Sequence, residues 1–288
     1  MRKTLGQLFL VSTLLGILSA CNDSASTTAD DGTLTFEVRG VVQEIKEGVL
    51  VIDHEEMPEY MQAMIMPFRV KEGHMIDVEA GDQITFRYVV EEYKSWIENL
   101  EKTGKTGEIK TAVPVEIDED KLVKIGDPLP DYEFFDQTGK KVNLSDYQGG
   151  PVVLTFVFST CPVPEYCPAM MRNFAQVQKD LAADADAPEN WHLLTISFDT
   201  INDTPEVMAN YGKMYEHDPA LWSLLSTNHC CTIDDIAANV GLLFGEKNGS
   251  LQHNLRTVVL DKTGNVKRIF TDENWTVEEL ISEIKKQG

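Results

Sequence analysis

Cys161 and Cys167 are separated by five residues, at the end of an apolar β-branched run (152–158) and just ahead of a helical pattern. Two thiols at that separation either close a disulfide or share one soft metal ion. Pro162 and Pro164 stiffen the loop between them, so little ordering entropy remains to be lost when the sulfurs meet. Cys167 reads as the N-cap of the following helix, with Pro168 at the first helical position. Unpaired amides and the helix dipole there favour thiolate, so Cys167 is the thiol expected to be the more acidic. A structural disulfide is the plainer reading of the same pair.

A second group of soft donors lies upstream. His54, Met57, Met61, Met64 and Met66 fall within thirteen residues. On a strand Met64 and Met66 project to one face, with His54 arriving from the end of a neighbouring strand. Thioether and imidazole without carboxylate suit Cu(I) or Ag(I) better than Mg or Ca. Methionines at period two also fill a core face, which is the competing reading. Adjacent Cys230 and Cys231 belong to neither group; they can form a strained ring, hold a metal together or rest as small buried groups. A four-thiol zinc site lacks the close paired spacing such sites use.

The elements that must position these donors divide in two. Strand patterns at 34–45, 49–54, 63–70, 83–91 and about 111–117, punctuated by Gly48, Gly73 and Gly81, predict a small all-β barrel over 34–120. The polar, glycine-bearing stretch 99–110 reads as a long hairpin loop within it. From about 123 to 288 strands and helices alternate, which predicts an α/β layer fold. A helix over about 168–183 carries the apolar stripe Met171, Phe174, Val177 and Leu181. Thr204 with Pro205 starts another, a third runs from Thr232 to Gly245, and Thr276 with Glu279 forms a capping box for the last. Strands are expected at 132–135, 141–144, 191–198, 255–260 and 265–270. Asp199 and Asp203 read as strand-end and helix-start residues.

Residues 1–20 have the form of a signal peptide: Arg2 and Lys3, an apolar stretch, then Ser19-Ala20 ahead of Cys21. The small-residue pair before Cys21 resembles the lipobox of bacterial lipoproteins, which makes Cys21 the expected lipidation site and 21–33 a flexible tether. The protein is therefore expected on the extracytoplasmic, periplasmic side, held to a membrane by lipid alone. There are 25 Lys plus Arg against 47 Asp plus Glu, and removal of the signal takes two bases and no acids, leaving a net charge of −24. Nucleic acid and anionic membrane surfaces are disfavoured as partners.

Gly40-Val-Val-Gln-Glu-Ile45, His54 and Met64-Ile-Met66-Pro-Phe68 resemble the CusF-like periplasmic copper-binding barrel, an OB-type fold, and the resemblance implies copper ligands His54, Met64 and Met66. Met61 stands where that barrel places a tryptophan over the metal, which makes Met61 a candidate third sulfur; Trp96 is a candidate cap from another strand. Over 125–285, the segments Asp136-Gln-Thr-Gly139, Leu154-Thr-Phe-Val-Phe158, the cysteine loop, Ser197-Phe-Asp199 with Asp203-Thr-Pro205, and His253-Asn-Leu-Arg256 resemble the SCO/SenC family of copper-delivery proteins, thioredoxin-like in fold. That resemblance implies a copper site of Cys161, Cys167 and His253. The family spacing is Cys-x3-Cys; here it is Cys-x5-Cys.

The sequence thus predicts a copper metallochaperone with an N-terminal OB-like β-barrel and a C-terminal thioredoxin-like α/β domain. The resemblance implies delivery to a copper-receiving client, a respiratory oxidase subunit with a dinuclear copper centre. A thiol–disulfide oxidoreductase using Cys161 and Cys167 is the alternative, and His253 separates the two, because exchange chemistry does not need it.

Overall fold

A computed structural model describes residues 27–28, 32–110, 118–247, 250–271 and 275–288. The signal segment, Cys21 and the strand expected at 111–117 lie outside the described residues. Among the described residues no helix is long and apolar enough to cross a membrane.

The N-terminal part is a six-stranded antiparallel sheet. A short strand β1 (Thr27–Thr28) pairs with β2 (Leu34–Lys46), and the main order is β4 (Met64–Arg69), β3 (Val49–His54), β2, β5 (Asp82–Val90), β6 (Ser95–Thr106). Period-two patterning decides which side chains turn inward: Phe36, Val38 and Val42 from β2, Leu50 and Ile52 from β3, Met64, Met66 and Phe68 from β4. The sheet curls until Val70, just past β4, bridges Ile97 on β6 and the Lys71 N–H donates to the Ile97 carbonyl. Gly40 sits opposite His54 in the β2–β3 pair. A Cβ there would fall 2.3 Å from Ile52 Cγ2 and 2.8 Å from the Asp53 carbonyl, so only glycine lets β2 approach the strand end that carries the histidine.

The last strand of this sheet departs from the sequence reading. Residues 99–110 were expected as a loop, yet β6 runs from Ser95 to Thr106. Ile97 and Leu100 both face the core although they are three residues apart, because the register shifts between them and Asn99 adopts φ 54°. The irregularity breaks the alternation that marks a strand. Beyond it the polar residues are held by backbone pairing and by Lys102–Asp82 at 2.8 Å.

The C-terminal part is a five-stranded sheet ordered β11 (Trp222–Leu225), β10 (His192–Ser197), β9 (Val152–Val157), β14 (Arg256–Leu260), β15 (Val266–Thr271). The first three run parallel and the last two antiparallel. Every residue of β9 is buried, as its unbroken apolar run requires of a central strand. A β7 (Glu133–Phe135)–β8 (Lys141–Asn143) hairpin precedes it, as expected. Helix α1 (Cys167–Ala183) buries Met170, Met171, Phe174, Val177 and Leu181 and packs against α4 (Val277–Lys285), which opens on the expected Thr276/Glu279 capping box. Thr204 caps α2 (Pro205–Lys213) by accepting from the Val207 N–H.

Helix α3 spans Cys230–Val240, not Thr232 to Gly245: Gly241, at φ 70°, ends it in the left-handed conformation glycine tolerates, and a hairpin β12 (Phe244–Lys247)–β13 (Ser250–His253) follows. That hairpin and β11 had no reading from sequence. Replacing Gly40 by Ala or Val is expected to destabilise the N-terminal sheet by about 1–3 kcal/mol through overpacking, measured by urea denaturation of the full chain; an unchanged midpoint would show that the β2–β3 approach is not tight.

Candidate metal centres

Three elements deliver the donors of the C-terminal centre. Cys161 lies in the loop after β9, Cys167 is the first residue of α1, and His253 ends β13. The two thiol sulfurs and an imidazole nitrogen all lie within 4.8 Å of one another; among the described residues no other cluster of His, Cys, Asp and Glu meets the same test. Cys167 Sγ is 3.5 Å from His253 Nε2. His253 donates from Nδ1 to the Asn254 carbonyl at 2.8 Å, and since a carbonyl only accepts, Nε2 carries the lone pair that faces the thiols. Phe198, Phe158 and Tyr166 surround the ring, with centroids at 4.7, 5.7 and 6.3 Å. Both cysteines are free thiols.

The acidity order reverses the sequence expectation. Cys167 is the first helical residue rather than the N-cap, which is Tyr166, and Pro168 is the second. It is fully buried, and burial together with the adjacent Cys161 pushes its thiol up. Cys161 is held well below the ordinary thiol range, first because the Cys167 S–H hydrogen-bonds to its thiolate and then through the protonated form of His253, which turns an Nε2–H toward it. At a helix start desolvation outweighs the dipole when the sulfur points into the core.

Asp203, buried, fixes the base of the cysteine loop. Its carboxylate accepts from the Ser159 N–H at 2.9 Å, from Ser159 Oγ at 2.5 Å and from Ser197 Oγ at 2.5 Å, joining the loop to the end of β10. Asp199 in turn accepts from the Ile201 and Asn202 amides. Asp203 is a positioning residue that the sequence reading had as a helix start; no local signal distinguishes the two roles, because Ser159 is 44 residues away.

In the barrel, His54 is buried and lies opposite Met64 across the β3–β4 pair, with Met66 opposite Ile52. Its Nδ1 donates to the Glu55 carbonyl at 2.7 Å, and its Nε2 is buried without a hydrogen-bond partner. A desolvated nitrogen lone pair with nothing to accept from suits a metal ion. Burial holds this imidazole below its usual pKa, which keeps it neutral and able to ligate. Met57, Met61, Met64 and Met66 are all buried in the same core. The Met57–Met61 segment is a tight turn in which the Met61 N–H donates to the Met57 carbonyl, and Met61 is buried in the core that also holds Met64 and Met66. Trp96 is not: it points away from the core beside Ile97, its Nε1–H donates to Glu98, and Lys71 and Lys94 lie over its ring. Cys231 is exposed at the start of α3.

Residues 126–287, more than half of the chain, match the family model SCO1/SenC. The chain belongs to the SCO1/SenC family. Residues 35–102 match a second model, Copper binding periplasmic protein CusF. A SCO1 protein homolog of Bacillus subtilis (strain 168) is 27% identical over 173 residues, 56% of this chain and 86% of the relative. A SCO1/SenC family lipoprotein from Bacillus anthracis str. Ames is 25% identical with a TM-score of 0.51, over 58% of this chain and 98% of that one. BsSco, described as having a disulfide switch and as a member of the Sco family of cytochrome c oxidase assembly proteins, is 20% identical with a TM-score of 0.50 over 58% and 97%, a likeness of fold. The SCO1/SenC part has the thioredoxin-like fold, and copper is the cofactor that the two family matches support.

Replacing Asp203 by Ala is expected to lower the Cu(I) affinity of the C-terminal centre about 10- to 100-fold while leaving its donors in place, measured by competition with a cuprous chelator. In the reduced, metal-free chain Cys161 is expected to be alkylated at neutral pH and Cys167 to resist. A depressed thiol pKa means that the thiolate persists at neutral pH and is lost only as pH falls through that lowered value, so the Cys161 rate profile should have its midpoint well below the ordinary 9.0. Equal rates at the two cysteines would contradict this.

Proposed function

We propose that the chain is an extracytoplasmic copper metallochaperone with two cuprous sites. Cys161, Cys167 and His253 would hold copper in the thioredoxin-like domain, and His54, Met64 and Met66 in the barrel. The observation that carries the reading is the convergence of two free thiols and one oriented imidazole nitrogen, from three separate elements, within 4.8 Å. Sulfur with neutral imidazole and no carboxylate is a donor set for a soft monovalent ion. Thiolate binds Cu(I) more strongly than thioether, so passage from barrel to second domain runs downhill.

The client is the dinuclear copper centre of a respiratory enzyme such as cytochrome c oxidase; the description of BsSco as belonging to oxidase assembly proteins supports that choice. An extracytoplasmic location is supported by the match to a periplasmic copper-binding protein, and a lipid at Cys21 by the lipoprotein relative from Bacillus anthracis.

The second reading, thiol–disulfide exchange, is favoured by the acidity of Cys161. Its thiolate would attack a client disulfide and Cys167 would then release the client, so that the client gains two thiols as the Cys161–Cys167 disulfide forms. His253 separates the readings. His253→Ala is expected to weaken Cu(I) binding at the second site by about a hundredfold or more, a larger loss than removal of a supporting group, while exchange with a model disulfide persists, slowed only as far as the loss of His253 raises the Cys161 thiol pKa. Copper affinity unchanged in His253→Ala would overturn the ligand assignment. Met64→Leu with Met66→Leu should remove one of two Cu(I) equivalents from the reduced chain, read by competitive titration; retention of both would make those methionines core residues only.

A further inference from the structure

The five residues between the cysteines are turned toward the barrel. The Pro162 carbonyl accepts from Tyr60 Oη at 2.5 Å. Val163 is buried as a member of the barrel's own core, and Cys161 and Tyr166 pack against that core as well as against the thioredoxin-like one. Glu165 accepts from the Ser95 backbone N–H and from Ser95 Oγ at 3.0 Å, at the start of β6. One turn into α1, Arg172 donates to the Pro164 carbonyl at 2.8 Å while its guanidinium lies over the Tyr93 ring at 5.0 Å. The Arg172–Pro164 bond ties the helix to the loop, and each of the other contacts joins the metal-bearing loop or the helix behind it to the barrel.

On the barrel side the same contacts reach back to the other donor set. Tyr60 stacks on Phe36 at 4.6 Å and belongs to the turn in which both its own N–H and that of Met61 donate to the Met57 carbonyl. One side chain thus links the methionine turn to Pro162, the neighbour of Cys161. The loop residues are stiff at Pro162 and Pro164, so a push at one end is not absorbed within the loop.

We propose that residues 162–166 are an interdomain latch, and that the docked barrel is a removable cap over the half-buried Cys161, which becomes fully open to outside molecules when the latch is released. The partner of this surface is the chain's own barrel, and Tyr60, Ser95 and Tyr93 are its positioning residues. Resting on the copper reading above, the latch also makes the relay intramolecular: with the barrel seated on the loop, Cu(I) leaving the methionine site meets the cysteines before it meets solvent, and a client reaches copper after the cap lifts.

The test begins without metal, so that it stands apart from the copper reading. In the reduced, metal-free full chain, Tyr60→Phe, Ser95→Ala and Tyr93→Ala alter the barrel side alone and leave the cysteine loop untouched. Cys161 alkylation, followed by mass spectrometry, is expected to accelerate about three- to tenfold in each variant and further in the triple variant, the size of effect that loss of one part-buried hydrogen bond or one cation–π contact brings to a local opening. Circular dichroism of each variant checks that both sheets remain folded. Parental alkylation rates in a folded triple variant would overturn the latch.

The second arm loads one Cu(I) equivalent and adds excess cuprous chelator. Faster capture from the triple variant than from the parent supports the intramolecular relay; equal capture overturns it. If the parent binds no copper, the proposed function fails while the alkylation result still decides the latch.

Discussion

Each of the two histidines has one ring nitrogen already committed, which leaves a single nitrogen for a metal on the proposed reading. His54 donates from Nδ1 to the carbonyl of Glu55, and His253 donates in the same way to the carbonyl of Asn254. The choice of tautomer is thereby made by the chain itself, at the point where each histidine leaves its strand, and Nε2 is left as the lone-pair bearer in both. Everything else in the two centres serves to bring sulfur to that nitrogen. In the barrel the β3–β4 register does so across one strand pair; in the thioredoxin-like domain three elements have to converge, and the Asp203 clamp holds the loop that brings Cys161.

The two sites differ in how their donors are kept. Thioethers are neutral at any pH, so the barrel can bury Met57, Met61, Met64 and Met66 in its core at no electrostatic cost, and His54 stays neutral there because burial disfavours its charged form. Two thiols cannot be buried on the same terms if both are to ionise. The second centre resolves this by asymmetry: Cys167 sits fully buried and protonated, and its S–H stabilises the thiolate of Cys161, which is only half-buried. On the proposed reading, a barrel that offers neutral sulfur and a second domain that offers ionisable sulfur would form a gradient of Cu(I) affinity within one chain.

Much of this was legible in the sequence where the determinants are local. The unbroken run at 152–158 made a central strand, the stripe from Met171 to Leu181 made α1, and Thr204-Pro205 and Thr276 with Glu279 marked helix starts because each cap involves residues within one turn. Ile97 and Leu100 hid β6, since a bulge at Asn99 removes the period-two signal. The hairpin that carries His253 went unread although Asn248-Gly249 is a turn signal in the sequence between its strands, because the helix expected from Thr232 to Gly245 was carried over the start of the first of them. The thiol acidities depended on which sulfur the core would bury, and the contacts of Tyr60 with Pro162 and of Ser95 with Glu165 span 102 and 70 residues. Local pattern says nothing about such distances.

The central claim is that folding gathers two sulfurs and one imidazole nitrogen around a cuprous ion in the thioredoxin-like domain. X-ray absorption at the copper edge, on the reduced chain with Met64→Leu and Met66→Leu and carrying one Cu(I) equivalent, tests it most directly, because the barrel donors are then out of reach of the comparison. The account predicts a first shell of two sulfurs and one imidazole nitrogen, lost when Cys161 and Cys167 are replaced by Ala. A shell without sulfur, or a spectrum unchanged by those replacements, would contradict it.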